Sequence, residues 1–369
     1  MTPLSPLRDP DGAPLARKLA AHLAADGPVS VHDYMEACLT DSEYGYYRTK
    51  AAIGQGGDFI TAPEISQVFG EFIGLWAGEV WRQMGEPASV RLVELGPGRG
   101  TLMADALRAL KVLPRFLAGA TVHLIETSKA LQEKQRAALA HAPIPIFWPE
   151  DLKDVPDGPA IIIANEFFDC LPVQQFVFDA AAGGWRERMV GLEDNAFRFA
   201  AGPIVEPPQG LDLASATEIE DGAILEHRPA VGGIIGAFAA RSPLAALMID
   251  YGYSRRSLGD TVQAVRGHRF TNLFDAPGES DITAHVDFLR LKQAAADANM
   301  NCFGPMPMGE WLLRLGLEAR MGQLLRRASE EEAREVRSRV ARLVDPAQMG
   351  ALFKVLALTN GALAAPPPF

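Results

Sequence analysis

The apolar positions change their period along the chain. Leu15, Leu19 and Leu23 recur at helical spacing behind Pro14, and Asp26-Gly27-Pro28 breaks the run. A second short helix is expected after Ser30. The stretch YGYYRTKAAIGQGGDFITAPEIS is rich in glycine and carries no clear period, which predicts an ordered loop leading into a helix from about residue 63 to 84. That loop is the first candidate for a lid. From Val90 the pattern becomes RLVEL, ADALRAL, TVHLIET, SKALQEKQRAALA, IPIFW and AIIIANEF. Short apolar runs alternating with helical segments predict βαβ units and a mostly parallel sheet, with strands best placed at 90–95, 121–126 and 160–164.

After Leu171-Pro172 the run VQQFVFDAAAGGWRERMVGL reads as two strands joined across Gly183-Gly184 in an antiparallel hairpin. Residues 195–230 are rich in Pro, Gly and acids and read as an excursion from the core. The sheet resumes at LAALMIDYG, ending in Tyr251-Gly252. A strand in TVQAVRG, a loop through GESDIT, and helices near 286–298, 308–321 and 330–343 follow. The organisation expected is a helical N-terminal lobe with its lid loop over 1–85, and a Rossmann-like core over 86–369 carrying insertions at about 173–240 and 253–345.

With 369 residues, 48% hydrophobic and 22% charged, the chain is long enough to bury a full α/β core. Its net charge of -11, without a dense Lys/Arg run, argues against nucleic acid as a ligand; Arg255, Arg256, Arg266 and Arg269 read as a solvated face. Cys38, Cys170 and Cys302 are too scattered for a metal or redox pair and too few for a disulfide framework, so a reducing compartment is expected. Pro, Asp, Arg and Lys interrupt the first residues, and VGGIIGAFAA is too short to cross a bilayer. A cytoplasmic protein without stable membrane insertion is the resulting expectation; oligomeric state stays open.

The sequence ELGPGRG stands between an apolar strand and a helix, where glycines let backbone N–H groups and a helix start approach a ligand. A dinucleotide fingerprint requires a glycine or alanine where this chain has Thr101, whereas Gly96-Pro97-Gly98-Arg99-Gly100 gives the G-x-G-x-G turn that methyltransferases of this topology use. Glu94 strengthens that reading: its carboxylate attracts the amino group of a methionine moiety and would repel a pyrophosphate. Glu126, ending the next strand, is placed to accept from both ribose hydroxyls. Asp151 and Leu152, after the third strand, are placed to meet the adenine. The cofactor expected is S-adenosyl-L-methionine.

The fourth strand ends in Asn165-Glu166-Phe167-Phe168-Asp169, setting an amide and two carboxylates at the edge where an open α/β sheet holds its ligands. Methyl transfer from a sulfonium depends more on in-line positioning and exclusion of water than on acid or base strength. Carboxylates matter most when the nucleophile is cationic, and a planar guanidinium can be gripped bidentately. Glu166 and Asp169 are therefore the catalytic candidates, with Asp250 and Tyr251 as a second strand-end pair. His285 is a candidate proton acceptor, and Asp281 caps or orients its segment. Ordinary packing accounts for at least one of Phe167 and Phe168, and Asp169 also suits a helix cap. No HExxH, Ser-His-Asp order or Walker A occurs, and no metal site is expected.

Together GDFITAPEISQVFGE, VELGPGRGTLMADALRAL, NEFFDCLPVQQF, DYGY and GESDITAHVDF resemble the MidA-like family of class I S-adenosylmethionine-dependent methyltransferases, over residues 10–360. The resemblance implies protein arginine methylation, since the mitochondrial members are assembly factors that dimethylate an arginine on a respiratory complex I subunit. It implies cofactor binding by Gly96, Gly98 and Gly100, ribose binding by Glu126, and a cover over the site from the 58–64 loop. Asp58, Thr61 and Asn165 join the cofactor-binding candidates on this basis. Two rivals stand beside a protein-arginine acceptor: a small-molecule methyltransferase, and a non-catalytic assembly chaperone with a cofactor pocket.

Overall fold

The computed structural model describes residues 13–49, 61–207, 219–255, 257–326, 328–361 and 363–369. At its centre lies a sheet whose strands, read across, are Asn301–Pro307, Phe353–Thr359, Leu244–Tyr253, Ala160–Asn165, Val90–Leu95, Ala120–Ile125 and Ile146–Phe147. Its inner strands pair in parallel, Leu92 facing Ile161 on one side and Val122 on the other. The exception is Phe353–Thr359, which runs antiparallel to both neighbours. Chain order proceeds outward from Val90–Leu95 in one direction, then jumps back to Ala160–Asn165 and proceeds the other way, with the last strand, Phe353–Thr359, inserted inside the edge strand Asn301–Pro307. The switch between the adjacent strands Val90–Leu95 and Ala160–Asn165 opens a crevice at their carboxyl ends.

Burial explains the uninterrupted apolar strands. AIIIAN is buried at every position because helices cover both faces of the sheet. One face packs Leu92, Ile161, Ile163 and Leu247 against Trp76, Leu102 and Trp311; the other packs Val93, Ile162 and Met248 against Phe168, Phe238 and Phe288.

The long helix Gln67–Gln83 lies along Thr101–Ala109, the helix that follows the glycine turn. Gly70 and Gly74 lie on the contact, and Gly78 continues the ridge toward Leu110 and Leu113 just beyond it. A Cβ at Gly74 would stand 2.4 Å from the Ala106 carbonyl oxygen, and one at Gly70 would stand 2.6 Å from Asp105 Cβ. This backbone approach fixes the second helix, and hence the turn at its start.

Two smaller sheets flank the core. In one, Gln174–Asp179 and Gly184–Glu193 form the expected hairpin, Asp179 opposite Gly184, and Val29–Ser30, Ala196–Val205 and Ile224–His227 extend it. The other joins Arg269–Thr271, Gln263–Arg266 and Asp281–Thr283, so DIT is a strand where a loop was expected. Two predicted helices are each divided. Extended Ser66 separates Ala62–Ile65 from Gln67–Gln83, and left-handed Gly316 separates Met308–Arg314 from Leu317–Leu325. The N-terminal segment does not stand apart: Val29–Ser30 adds to the second sheet, and Gln67–Gln83 belongs to the main core. Among the described residues no helix is long and apolar enough to cross a membrane.

Candidate active site

The glycine turn begins where Val90–Leu95 ends. Gly96, Gly98 and Gly100 all have positive φ, 61°, 54° and 80°, a region in which L side chains are strained. Space restricts them too, since a Cβ at Gly96 would stand 3.1 Å from the Phe167 ring, and one at Gly100 3.3 Å from Gln135 Cα. Gly100 caps the Thr101–Ala109 helix, and its N–H donates to the Pro97 carbonyl at 2.8 Å.

Glu94, Gly96, Pro97, Gly98, Asn165, Glu166 and Thr61 line one cleft at the switch point. Glu94 is 3% exposed, and its Oε2 has no hydrogen-bond partner. Burial alone pushes its carboxyl up to about 8. Asn165 Oδ1 is likewise buried and unpartnered, while its Nδ2 donates to Glu166 Oε1 at 3.1 Å. Glu166 adopts a left-handed backbone, φ 49°, uncommon for a residue with a side chain. Its Oε1 also accepts from the Ala62 N–H at 3.0 Å, so the short Ala62–Ile65 helix is tied down over the cleft. Arg99 and Glu64 add a second tie, Nη1 to Oε1 at 3.6 Å. Burial, with Asp169 and Asp281 nearby, pushes the Glu166 carboxyl up to about 8. Thr61 stands at the head of this cover; Asp58 lies outside the described residues.

Glu126 follows the Ala120–Ile125 strand. Its Oε1 accepts from the Ser128 N–H at 2.7 Å and its Oε2 from Gln135 Nε2 at 3.3 Å. The same Gln135 amide donates to the Gly98 carbonyl at 2.8 Å and accepts from Trp148 Nε1 at 2.8 Å. One buried glutamine thus couples the glycine turn, the acid of the next strand and the tryptophan beyond it. Nothing in the sequence pattern marks Gln135, because it lies mid-helix in a polar-looking segment. Leu152 is buried, whereas the Asp151 carboxylate is exposed and accepts from the Lys153 N–H at 3.1 Å. Buried Arg241 holds this loop through the carbonyls of Leu152, Val155 and Pro156 at 2.8, 2.7 and 3.1 Å.

A second group of acids adjoins the cleft. Asp169 is buried with no donor in good hydrogen-bond geometry at Oδ1, and the Tyr251 hydroxyl faces it, drawn toward both Asp169 and Thr283. Tyr47 donates to Asp281 Oδ1 at 3.0 Å, and its hydroxyl feels Cys170 and Asp169 as well. Burial raises the Asp169 carboxyl. Asp250 is differently employed: its Oδ2 accepts from the N–H groups of Phe168 and Asp169 at 3.0 and 3.2 Å, and its Oδ1 from Tyr251 N–H at 2.9 Å. That makes it a clamp on the turn carrying Glu166, beneath the cleft rather than facing it. His285 also stands outside the cleft, its ring edge-on to Tyr251 at 5.4 Å, and burial lowers its pKa.

Arg228 was not apparent as a site residue. It is 8% exposed and donates to four main-chain oxygens, of Leu171 and Ala284 at 3.0 Å and of Asp169 and His285 at 3.4 Å, tying the turn after Ala160–Asn165 to the segment before Val286. Only the three-dimensional convergence of segments 169–171 and 284–285 on Arg228 reveals this.

Glu94 Oε2 and Asn165 Oδ1 are buried acceptors without donors in one crevice, and beside them Asp169 Oδ1 has only the Tyr251 hydroxyl near it. Buried polar atoms are ordinarily paired. What would satisfy these is a ligand rich in donors and positively charged. The ammonium end of a methionine moiety fits at Glu94 and Asn165, and the turn at Gly96 and Gly98 leaves room for close backbone approach.

A family model for S-adenosyl-L-methionine-dependent methyltransferases matches residues 72–306. The mitochondrial protein arginine methyltransferase NDUFAF7 homolog of Drosophila melanogaster is 37% identical over 95% of this chain and 86% of its own. The human mitochondrial protein arginine methyltransferase NDUFAF7 is 35% identical over 94% and 83%. Among solved structures, a protein from Burkholderia thailandensis bound to S-adenosyl-homocysteine superposes with a TM-score of 0.82 at 28% identity, covering 97% of this chain and 96% of that one. The expectation of a cytoplasmic protein is overturned by these relatives, which are named as mitochondrial. The features behind that expectation, few scattered cysteines and first residues without an apolar run, do not distinguish one reducing compartment from another.

Proposed function

Because the chain belongs to this family of S-adenosyl-L-methionine-dependent methyltransferases, we propose that it methylates the guanidinium of an arginine in a protein substrate. The observation that carries this reading is the acidic chamber beside the cofactor cleft, where the charges of Asp169 and Asp281 add to burial in raising the proton affinity of Glu166. Such a chamber disfavours anionic and neutral acceptors and stabilises a cation. The names of the relatives, protein arginine methyltransferases, point the same way. That the protein partner is a subunit of respiratory complex I rests on the family resemblance.

In this reading Glu94 and Asn165 take the amino end of the cofactor, Glu126 takes the ribose, and the Leu152 loop takes the base, with Asp151 contributing through its backbone. The cofactor supplies an electrophilic methyl group on a sulfonium. Glu166 and Asp169 grip the guanidinium, orienting one nitrogen and holding electron density on it. The Ala62–Ile65 cover excludes water through its bond to Glu166. Asp250 acts as a positioning residue for Glu166, and His285, edge-on to Tyr251, is the candidate acceptor for the proton that the guanidinium releases on methylation.

Incubating the protein and isotopically labelled cofactor with a proteome depleted of methylation tests the proposal, with methylated residues read by mass spectrometry. Label on arginine is expected, lost in Glu166→Gln although cofactor binding is retained. Label confined to metabolites in the small-molecule fraction would sink the reading. Binding without label on anything would favour the chaperone alternative.

A further inference from the structure

A cavity of about 400 Å3 opens between the Ala230–Ala239 and Phe288–Asp297 helices, lined by His227, Arg228 and Arg290 together with Gly232, Gly236 and Ala294. Gly232 and Gly236 have open space where a Cβ would lie, so that wall is bare backbone. A narrower arm lined by Tyr253, His285 and Asp287 shares His227, Arg228 and Arg290 with it. This arm approaches the acceptor chamber, since the His285 ring meets Tyr251 and Arg228 donates to the Asp169 carbonyl.

Among the described residues no side-chain donor here is hydrogen-bonded or ion-paired to a carboxylate, although Asp287 lies within the field of Arg290 and Arg228. The half-buried Arg290 side chain makes no hydrogen bond or ion pair among the described residues, and His227 Nδ1 is buried without a partner. Arg228 spends its donors on carbonyls, which leaves its charge uncancelled by any hydrogen-bonded carboxylate. The surrounding acids are engaged elsewhere. Glu226 accepts from Thr261 and Gln175, Asp287 caps its helix through Leu289 and Arg290 N–H groups, and Asp297 accepts from Gln293. Burial and the two arginines push His227 down to about 4, so the imidazole is neutral and can act as a donor beside the cations.

We propose that this cavity is a second binding site, which takes the carboxylate of an acidic residue flanking the target arginine of the protein substrate. The inference rests on the arginine-acceptor reading. Arg290 supplies the planar, bidentate contact that a carboxylate matches, and His227 supplies a further donor. The substrate segment then lies across the Tyr251–His285 wall, its guanidinium on the acidic side and its acid on the basic side. Opposite charges on the two sides of one wall fix the direction in which the segment runs.

The test uses fluorescent peptides with one central arginine in a glycine-serine background, a single glutamate stepped along either flank, and matched glutamine counterparts. Binding is read by anisotropy to protein saturated with S-adenosyl-homocysteine, for wild type, Arg290→Glu and Glu166→Gln, with calorimetric binding of S-adenosyl-homocysteine certifying each variant as folded. At least one glutamate position is expected to tighten binding about tenfold over its glutamine counterpart. Arg290→Glu should abolish that preference, and Glu166→Gln should weaken both peptides alike. Equal binding of glutamate and glutamine peptides to wild type, or a preference that survives Arg290→Glu, overturns the second site and leaves the acceptor reading intact. Failure of every arginine peptide to bind overturns the acceptor reading and this one with it.

Discussion

Cofactor binding should expel a proton, and Glu94 should be its source. With its carboxyl held at about 8 by burial, Glu94 is about nine-tenths protonated at pH 7 in the free protein. An ammonium group seated against it favours the carboxylate, so binding requires deprotonation. Nearly one proton should leave per cofactor bound at pH 7, and affinity should rise about tenfold per pH unit between pH 6 and 7, flattening as pH approaches 8. Replacing Glu94 with Gln keeps the shape and removes the titration. Loss of a charge-assisted hydrogen bond costs about 2 kcal/mol, partly offset near pH 7 by about 1.4 kcal/mol no longer spent on ionising the acid. The variant should therefore bind only a few-fold more weakly at pH 7, match or exceed wild type at pH 6, and fall clearly behind at pH 8. Calorimetry of S-adenosyl-homocysteine binding in buffers of different ionisation enthalpy reads the proton count directly. Equal proton release by wild type and Glu94→Gln would refute the reasoning, as would no release by wild type.

Three further outcomes are expected. Gln135→Leu removes the link among Gly98, Glu126 and Trp148, and should weaken cofactor binding by about 1–3 kcal/mol in calorimetry while leaving the fold intact by circular dichroism. Arg241→Met strips donors from three carbonyls of the Leu152 loop, and should lower both the urea midpoint and cofactor affinity, with Arg241→Lys intermediate. The cofactor-free protein should lose stability as pH rises from 6 to 8. Glu94 has its folded value raised to about 8 from an unfolded value near 4.5, so its contribution is full below the unfolded value and disappears through the folded one. The expected slope from Glu94 is about 1 kcal/mol per pH unit in denaturant titrations, reduced when S-adenosyl-homocysteine is bound; a flat profile would contradict it.

The parallel sheet was legible because its inner strands are short, mostly apolar runs, the first two followed by helices, and the cleft because ELGPGRG and ANEF end adjacent strands. Other parts were hidden for physical reasons. Asn301–Pro307 carries Gly304 and Pro305, which speak against a strand, yet it survives at the sheet edge, where a missing N–H costs little. Ala230–Ala239 holds three glycines that lower helix propensity, and it is stabilised by packing Val231, Ile235 and Phe238 into the core. Thr101 excluded the dinucleotide fingerprint, but nothing local distinguished Asp250 as a clamp from Asp250 as a chamber wall. Both roles require an acid at a strand end, and only the backbone amides of Phe168 and Asp169 decide between them. Arg228, Arg241 and Gln135 act on main-chain oxygens far away in sequence, contacts that leave no periodic trace.

The ridge of Gly70, Gly74 and Gly78 bears on how this protein can be engineered. Replacing helical glycine with alanine is a routine stabilising change, worth about 1 kcal/mol per site where space allows. Here the helix forgoes that gain at Gly70 and Gly74 so that its backbone can press against the helix that begins at the cofactor turn, and at Gly78 so that Leu110 and Leu113 can pack on it. A campaign guided by helix propensity alone would rank these positions among its first targets and would drive the two helices apart. Stabilisation should instead be sought on the solvent side of the same helix, where Leu75, Glu79 and Arg82 face outward and the turn at Gly96 does not register the change.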